Sequence, residues 1–484
     1  MSAQSTLGTL VGATPKSAIL DWLTQRCGLL AHLLADVVSD FQQGVSPVET
    51  LRWEERLELA LREFARSWLE WTLNTLEPQA VEALPQRIEY REQTYRRLAK
   101  KTRRRNILTR FGNITLLRAT YRRGSRGKVI APLEVALGVE RGATPAAQDL
   151  VGRQVAVAGS SQSRGVEQIA ERTGARIGQE KLRKLTATLA TDLEPQCEAC
   201  QVQRLETLID TAVSQGKNVV LGISRDGVSL GIAPFGNFEM ASVATLTVYA
   251  DGNRTGTVYL AAAPEEHQAT LSRRFTSLFQ AIIRSRREKL SRIVYVTDAG
   301  KIETAYWKNV LRTLRVDGRP VKIHRVVDDY HASLRLTVIA DWLKLTASQR
   351  THWLQRVRKL LLQPGGWGRV LRSMQGMIQL HGTKHTATAA ETKALRYLRR
   401  YRRFMNYAEC RRLGGPIGSG VVESACKQLV TERLKLSGRR WSHVGAGEIM
   451  TLRSSVLSQT WRATFRHMLI ARPAVRILKG CPAS

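Results

Sequence analysis

GKNVVLGISRDGVSLGI, residues 216–232, holds a β-branched, apolar run that stops at a carboxylate followed by glycine. A run this short and this bounded predicts a buried strand, with Asp226 at its end. Downstream, FEMASVATLTVYADGNRTGTVYLAAA (238–263) predicts two more strands around Asp251-Gly252-Asn253, a two-strand turn signal. A helix fits EEHQATLSRRFTSLFQAIIRSRR, and SRIVYVTDAG (291–300) reads as a fourth strand ending in Asp298. IETAYWKNVLRTL suits a helix, and VKIHRVVDDYHAS (321–333) begins as a fifth strand. The predicted order is therefore three strands, a helix, a strand, a helix and a strand. In a sheet of that order the first and fourth strands are neighbours.

Outside this core the periodicity changes. Residues 15–105 carry apolar residues at spacings of three and four and read as helical. NILTRFGNITLLRATYRR adds a short β hairpin turning at Gly112-Asn113. GVEQIAERTGARIGQEKLRKL resembles a helix-turn-helix, with Gly174 in the turn and 178–190 as the second helix; an ordinary packed pair of helices has the same pattern. The expected organisation is a helical region 1–105, a small basic β segment 106–143, a helical DNA-binding region 144–204, a catalytic α/β domain 205–455 interrupted by helices over about 333–412, and a basic tail 456–484.

Charge narrows the partner. The chain has 75 Lys and Arg against 41 Asp and Glu, a net +34. Such a field collects polyanions, and nucleic acid is the commonest inside a cell. Between Tyr95 and Lys128 there are 13 basic residues and no acid, among them Arg103, Arg104, Arg105, Arg122 and Arg123. RYLRRYRRFMNYAECRR (396–412) interleaves arginine with tyrosine, as suits backbone contact plus base stacking. No apolar run approaches the ~20 residues of a membrane helix. The N-terminus lacks the basic-then-apolar layout of a secretion signal, and six cysteines in 484 residues form no disulfide framework, so a reducing cytosol is expected. Cys197-x-x-Cys200 is half a zinc site without its other half.

Against that positive field, three acids stand out. Asp226 and Asp298 close adjacent predicted strands. Glu423 follows a glycine-rich turn in GGPIGSGVVESACKQLVTERLKLSGRRW (414–441) and starts a helix whose later charges, Glu432 apart, are Lys427, Arg433, Lys435, Arg439 and Arg440. Three converging carboxylates can hold two Mg²⁺ ions about 3.5–4 Å apart, the arrangement that drives in-line phosphoryl displacement. The plainer readings are a turn aspartate before glycine and a glutamate complementing a helix dipole. Trp441 either stacks on a base or anchors the helix end.

SRDGV and VYVTDAG resemble the first two catalytic positions of bacterial insertion-sequence DDE transposases, and the strand order is that of their ribonuclease H-like fold. The 414–441 stretch is similar to the Pro-Ile-Gly-Ser-Gly…Val-Glu…Cys-Lys…Arg-Leu-Lys-x-Ser-Gly-x-x-Trp signature of the Kra-type family. RFGNITLLRATYRR and ATPAAQDLVGRQVAVAGSS resemble its N-terminal half, so the likeness covers about 105–455. It implies Asp226, Asp298 and Glu423 as a catalytic triad binding Mg²⁺ (or Mn²⁺), with double-stranded DNA, as element ends and target, for substrate, and a homo-oligomer bringing two ends together. VDDYHAS resembles a segment closing the fifth strand, implying second-shell or substrate-positioning roles for Asp328 and His331; Asp329 departs from the aromatic residue usual there. A nuclease or resolvase that joins nothing, and a DNA-binding regulator without catalysis, are the rival expectations.

Overall fold

Val219–Ile232 forms one continuous strand of 14 residues, β1. It does not stop at Asp226, as the sequence suggests, but continues through it in antiparallel pairing with β2 (Asn237–Ala250), where Asp226 faces Val243. What ends at Ser224 is the pairing on the other edge, with β4 (Arg292–Thr297). This computed structural model describes residues 16–478 except 45, 79, 158–160, 235–236, 344 and 382–387. The N-terminal stretch without a secretion-signal layout therefore lies, all but Lys16, outside the described residues, as does Cys481.

The chain divides into two units, 1–192 with 465–484, and 193–464. The second unit holds β1, β2 and β3 (Asn253–Ala262), then helix α1 (Ala269–Arg286), β4, α2 (Lys301–Asn309) and β5 (His324–Val327). The sheet order is β5-β4-β1-β2-β3, with β5, β4 and β1 parallel and β1, β2 and β3 antiparallel. The β2–β3 turn is the expected one: Asp251 and Gly252 both take positive φ, 49° and 81°. After β5 the chain is helical: α3 (Asp329–Trp342), α4 (Ala347–Leu361), α5 (Gly366–His381), α6 (Ala389–Tyr401) and α7 (Tyr407–Arg412). Then come α8 (Gly420–Cys426) and α9 (His443–Leu457). No helix among the described residues is long and apolar enough to cross a membrane.

Alternation along β1 explains why its apolar run is nearly continuous. Val219, Leu221 and Ile223 join a core with Phe275, Phe279 and Ile282 of α1. Val220 faces the opposite way, into a core with Leu336 and Ile339 of α3, Trp353 of α4 and Leu398 of α6. A strand covered on both faces has no polar side to show. Gly222 marks where the second face must be thin. A Cβ there would stand 2.7 Å from Tyr249 Cε2 and 3.1 Å from Pro416 Cγ, and Pro416 belongs to the turn that carries Glu423. Gly222→Ala should therefore lift that turn from the sheet and destabilise the protein by about 1–3 kcal/mol. Urea unfolding measures it; an unchanged midpoint would show the gap to be slack.

The first unit departs from its expected helical character. Helices Lys16–Gln43 and Pro47–Thr75 form, but the chain then turns to strands at Arg87–Tyr90, Gln93–Arg97 and Thr102–Thr109, the last pairing with Gly112–Arg118. The reason is period: Ile88 and Tyr95 oppose each other, both buried, while their neighbours are charged or polar. The predicted tail is also structured, as a helix Trp461–Ala471 and a strand Arg476–Ile477 that pairs with Arg87–Tyr90. The helix Gln162–Thr173 ends at left-handed Gly174 (φ 71°) as expected. The next helix, though, runs unbroken from Gln179 to Ser214 through Pro195, so the turn-helix pattern opens a far longer rod than 178–190.

Candidate active site

Asp226 and Asp298 each lie two residues beyond the last β1–β4 pair, Ser224 with Val296. Parallel register thus sets them side by side, on the sheet face that α3 and α6 cover. Asp226 Oδ1 accepts its neighbour's N–H, from Gly227 at 2.7 Å. Asp298 Oδ1 accepts from the N–H of Gly300 at 2.8 Å. The turn after β4 is held from the helical insertion, where the Tyr397 hydroxyl donates to the Asp298 carbonyl (2.9 Å) and that of Tyr401 to Ala299 (3.4 Å).

Glu423 sits in the first turn of α8, which packs on β1 and β2. Directly after it the helix widens into a π turn, Lys427–Thr431, a distortion found often at functional sites. The Ser419 hydroxyl does not cap the helix; it lies 2.6 Å from Glu423 Oε1 and 2.9 Å from Asp328 Oδ2, so its single proton is shared between these two carboxylates. In each of these three acids, one oxygen is engaged by a local donor. The second oxygens of Asp298 and Glu423 have no donor among the described residues, and that of Asp226 has only the Cys426 thiol at 3.7 Å. An all-oxygen donor set with one open oxygen per carboxylate fits a hard divalent cation such as Mg²⁺ or Mn²⁺.

Among the described residues the three do not bring ligand atoms within 4.8 Å of one another, yet Asp226 feels the charges of both others. Burial pushes the Asp226 carboxyl up to about 6, the charges of Asp298 and Glu423 add to this, and the Gly227 N–H opposes it. Glu303, in the first turn of α2 and 7% exposed, is also raised by burial and by the same two aspartates. Sequence reading missed Glu303, because a glutamate early in a helix has no pattern of its own. Burial, together with the charge on Asp226, drives the Cys426 thiol well above its ordinary value.

Asp328 and His331 are joined by hydrogen bonds at the start of α3. Asp328 is 2% exposed and caps α3. Its Oδ1 accepts from the backbone N–H (2.6 Å) and ring Nδ1 (2.9 Å) of His331, and its Oδ2 from the backbone N–H (2.5 Å) and hydroxyl (2.9 Å) of Ser419. Burial raises this carboxyl, but the donors together outweigh burial and hold it at about 2. The Asp328 hydrogen bond in turn raises His331. Asp328, His331 and Glu423 offer ligand atoms within 4.8 Å of one another, a group that excludes Asp226 and Asp298. With both oxygens of Asp328 already occupied, it serves as an anchor for His331 and the Ser419 turn more readily than as a ligand. Cys197 and Cys200 belong to no such group among the described residues.

The expected DNA contacts divide. Lys427, Lys435 and Arg440 are exposed, and Arg439 is half-buried, donating to the Arg433 carbonyl at 2.9 Å. Arg433 is not surface: it is 4% exposed and stacks 5.4 Å from the Trp441 ring, whose Nε1–H donates to the Leu434 carbonyl (3.0 Å). Burial lowers the Arg433 guanidinium to about 10. Arg433 and Trp441 therefore lock the end of this segment, correcting the first and resolving the second toward an anchor. In the other unit Arg103 and Arg105 are exposed, but Arg104 is paired with Glu134. Arg122 is half-buried on a strand, and Arg123 is exposed while donating to Gln93 (2.6 Å).

No family model matches the sequence, and no curated protein does.

Proposed function

We propose that this chain is a DNA transposase of the DDE type, built on a ribonuclease H-like fold, that cuts and joins DNA with divalent metal at Asp226, Asp298 and Glu423. The observation that carries the reading is the placement of Asp226 and Asp298 in register on adjacent parallel strands, with Glu423 in electrostatic reach, inside a chain of net +34. The sheet order β5-β4-β1-β2-β3 supports the fold assignment. An acid cluster at the heart of so cationic a protein suits a cation-bridged polyanion.

When bound, a pair of Mg²⁺ or Mn²⁺ ions would make the attacking oxygen nucleophilic and stabilise the leaving one. Asp226, Asp298 and Glu423 would hold such ions through their open oxygens, while Ser419 and Asp328 fix Glu423 and His331. Exposed Lys427, Lys435 and Arg440 bind the sugar-phosphate backbone. Water, then the 3′-OH it frees, serves as nucleophile, so no covalent protein–DNA intermediate is required. Two such chains acting together at paired ends, in the cytosol, complete the proposal.

The test uses duplexes of the DNA that flanks this protein's own gene. Incubated with Mg²⁺, the protein should nick them to a 3′-OH and join that end to a second duplex, and chelation should stop both steps. Cutting without joining would make it a nuclease; DNA binding without cutting would make it a regulator.

A further inference from the structure

Resting on the functional reading above, we infer that Arg335 and Tyr397 form a binding subsite for one DNA phosphodiester beside the acid cluster. α3 carries His331 and Arg335 one turn apart, hence on the same side of the helix. The Arg335 guanidinium carbon lies 5.1 Å from the Tyr397 ring centroid. The hydroxyl of that same tyrosine donates to the Asp298 carbonyl at 2.9 Å, so one aromatic ring links Arg335 to a proposed metal ligand.

Arg225, Arg325, Arg453 and Arg472 also have an unmet Nε, but each bonds through another guanidinium nitrogen; what sets Arg335 apart is that none of its donors finds an acceptor among the described residues. Its Nε is shielded from solvent and has no hydrogen-bond acceptor, and among the described residues no carboxylate pairs with it. A buried N–H without an acceptor is costly, and an incoming acceptor removes that cost. Arg325 shows the contrasting, closed arrangement. It is buried within reach of Trp307, Tyr401 and Phe404, and its Nη2 donates to Thr304 at 2.8 Å. Arg335 is only half-buried, so its outer edge stays open. A guanidinium over a ring can present paired N–H groups, the fork that matches two non-bridging phosphate oxygens. Its neighbours fit the same ligand: Lys301 follows Asp298 by three residues and Lys427 follows Glu423 by four, both exposed. Two of the three acid-bearing segments are thus trailed by a cation within about one turn.

The subsite is tested by single-turnover cleavage of the same flanking-DNA duplexes. Arg335→Ala should lower the rate by about 100-fold, the scale of removing one preorganised donor from a developing charge. Arg335→Lys should recover no more than about a tenth of it, because a point charge cannot replace the fork. The Mg²⁺-induced rise in melting temperature should stay unchanged in both variants. A scan replacing one phosphodiester at a time with neutral methylphosphonate locates the contact: one linkage should slow the wild type and add nothing to Arg335→Ala. Arg335→Gln, which keeps packing on Tyr397, replaces the alanine variant if that one does not fold. Wild-type rates in the variants, or methylphosphonate effects that add at every linkage, would overturn the subsite alone. A wild-type protein that cuts nothing overturns the functional reading and the subsite with it.

Discussion

Asp226→Asn should abolish metal-dependent cleavage, by about 1,000-fold or more, and yet make the metal-free protein harder to unfold. The two effects have one cause. The Asp226 carboxyl is raised from 3.8 to about 6 by burial and by the charges of Asp298 and Glu423. Between those two values the folded protein holds a proton that the unfolded chain has released. Stability from this group is therefore full below about pH 4 and is lost as pH rises through about 6. The shift corresponds to about 3 kcal/mol, or about 1–2 kcal/mol after allowing for partial exposure. Asparagine carries no charge, keeps the Gly227 N–H contact, and escapes the penalty at pH 7.5. The same titration predicts wild-type behaviour: Mg²⁺ should raise the melting temperature strongly at pH 7.5 and weakly below pH 6, where protons compete. Melting curves with and without Mg²⁺ at both pH values settle it. A variant less stable than wild type in the absence of metal would mean that the carboxylate is not strained by its neighbours.

Asp328→Ala should be the most damaging single change at the site that removes no proposed metal ligand. Alanine would leave the backbone N–H groups of Ser419 and His331 without their acceptor, all near a residue 2% exposed, while the Ser419 hydroxyl keeps Glu423. Breaking a buried charge-assisted set of this kind costs about 3–4 kcal/mol. Because the carboxyl sits at about 2, its contribution is present above about pH 4 and is lost as pH falls toward 2. The wild type should accordingly lose stability over that acid range, and the variant should lose less. Cleavage should fall with it, since Ser419 no longer fixes the start of α8. Urea unfolding at pH 7 and pH 3 provides the comparison; an equal loss in both proteins would remove Asp328 from this role.

Much of the second unit is legible in its residues. The apolar runs at 219–223 and 293–296 and the Asp251-Gly252 turn predict β1, β4 and the β2–β3 hairpin, and the parallel order then puts Asp226 next to Asp298. Glu423 is legible as a helix-start acid. What fails is physical. Asp226 reads as a strand end because glycine follows it, but pairing with β2 carries the strand through to Ile232. The strands at 87–97 hide because only Ile88 and Tyr95 in them are fully apolar-facing, among arginines that look helical. Arg433 reads as surface because it lies in a basic run, and only packing on Trp441 reveals it as interior. Arg335 meets Tyr397, and Glu303 feels the charges of Asp226 and Asp298, across segments up to about a hundred residues apart, and no local pattern announces that.

The strand that carries Asp226 has one further effect. β1 and β2 go on for six residues past it, about 20 Å, where β4 contributes nothing. One flank of the acids is thus a two-stranded tongue tied at its tip to Trp441, and the other is a wall of helices from α3 to α6. A stiff rod laid over the carboxylates meets a different material on its left than on its right. Handedness is built into the cradle, so such a rod has a preferred direction before any of its letters is read.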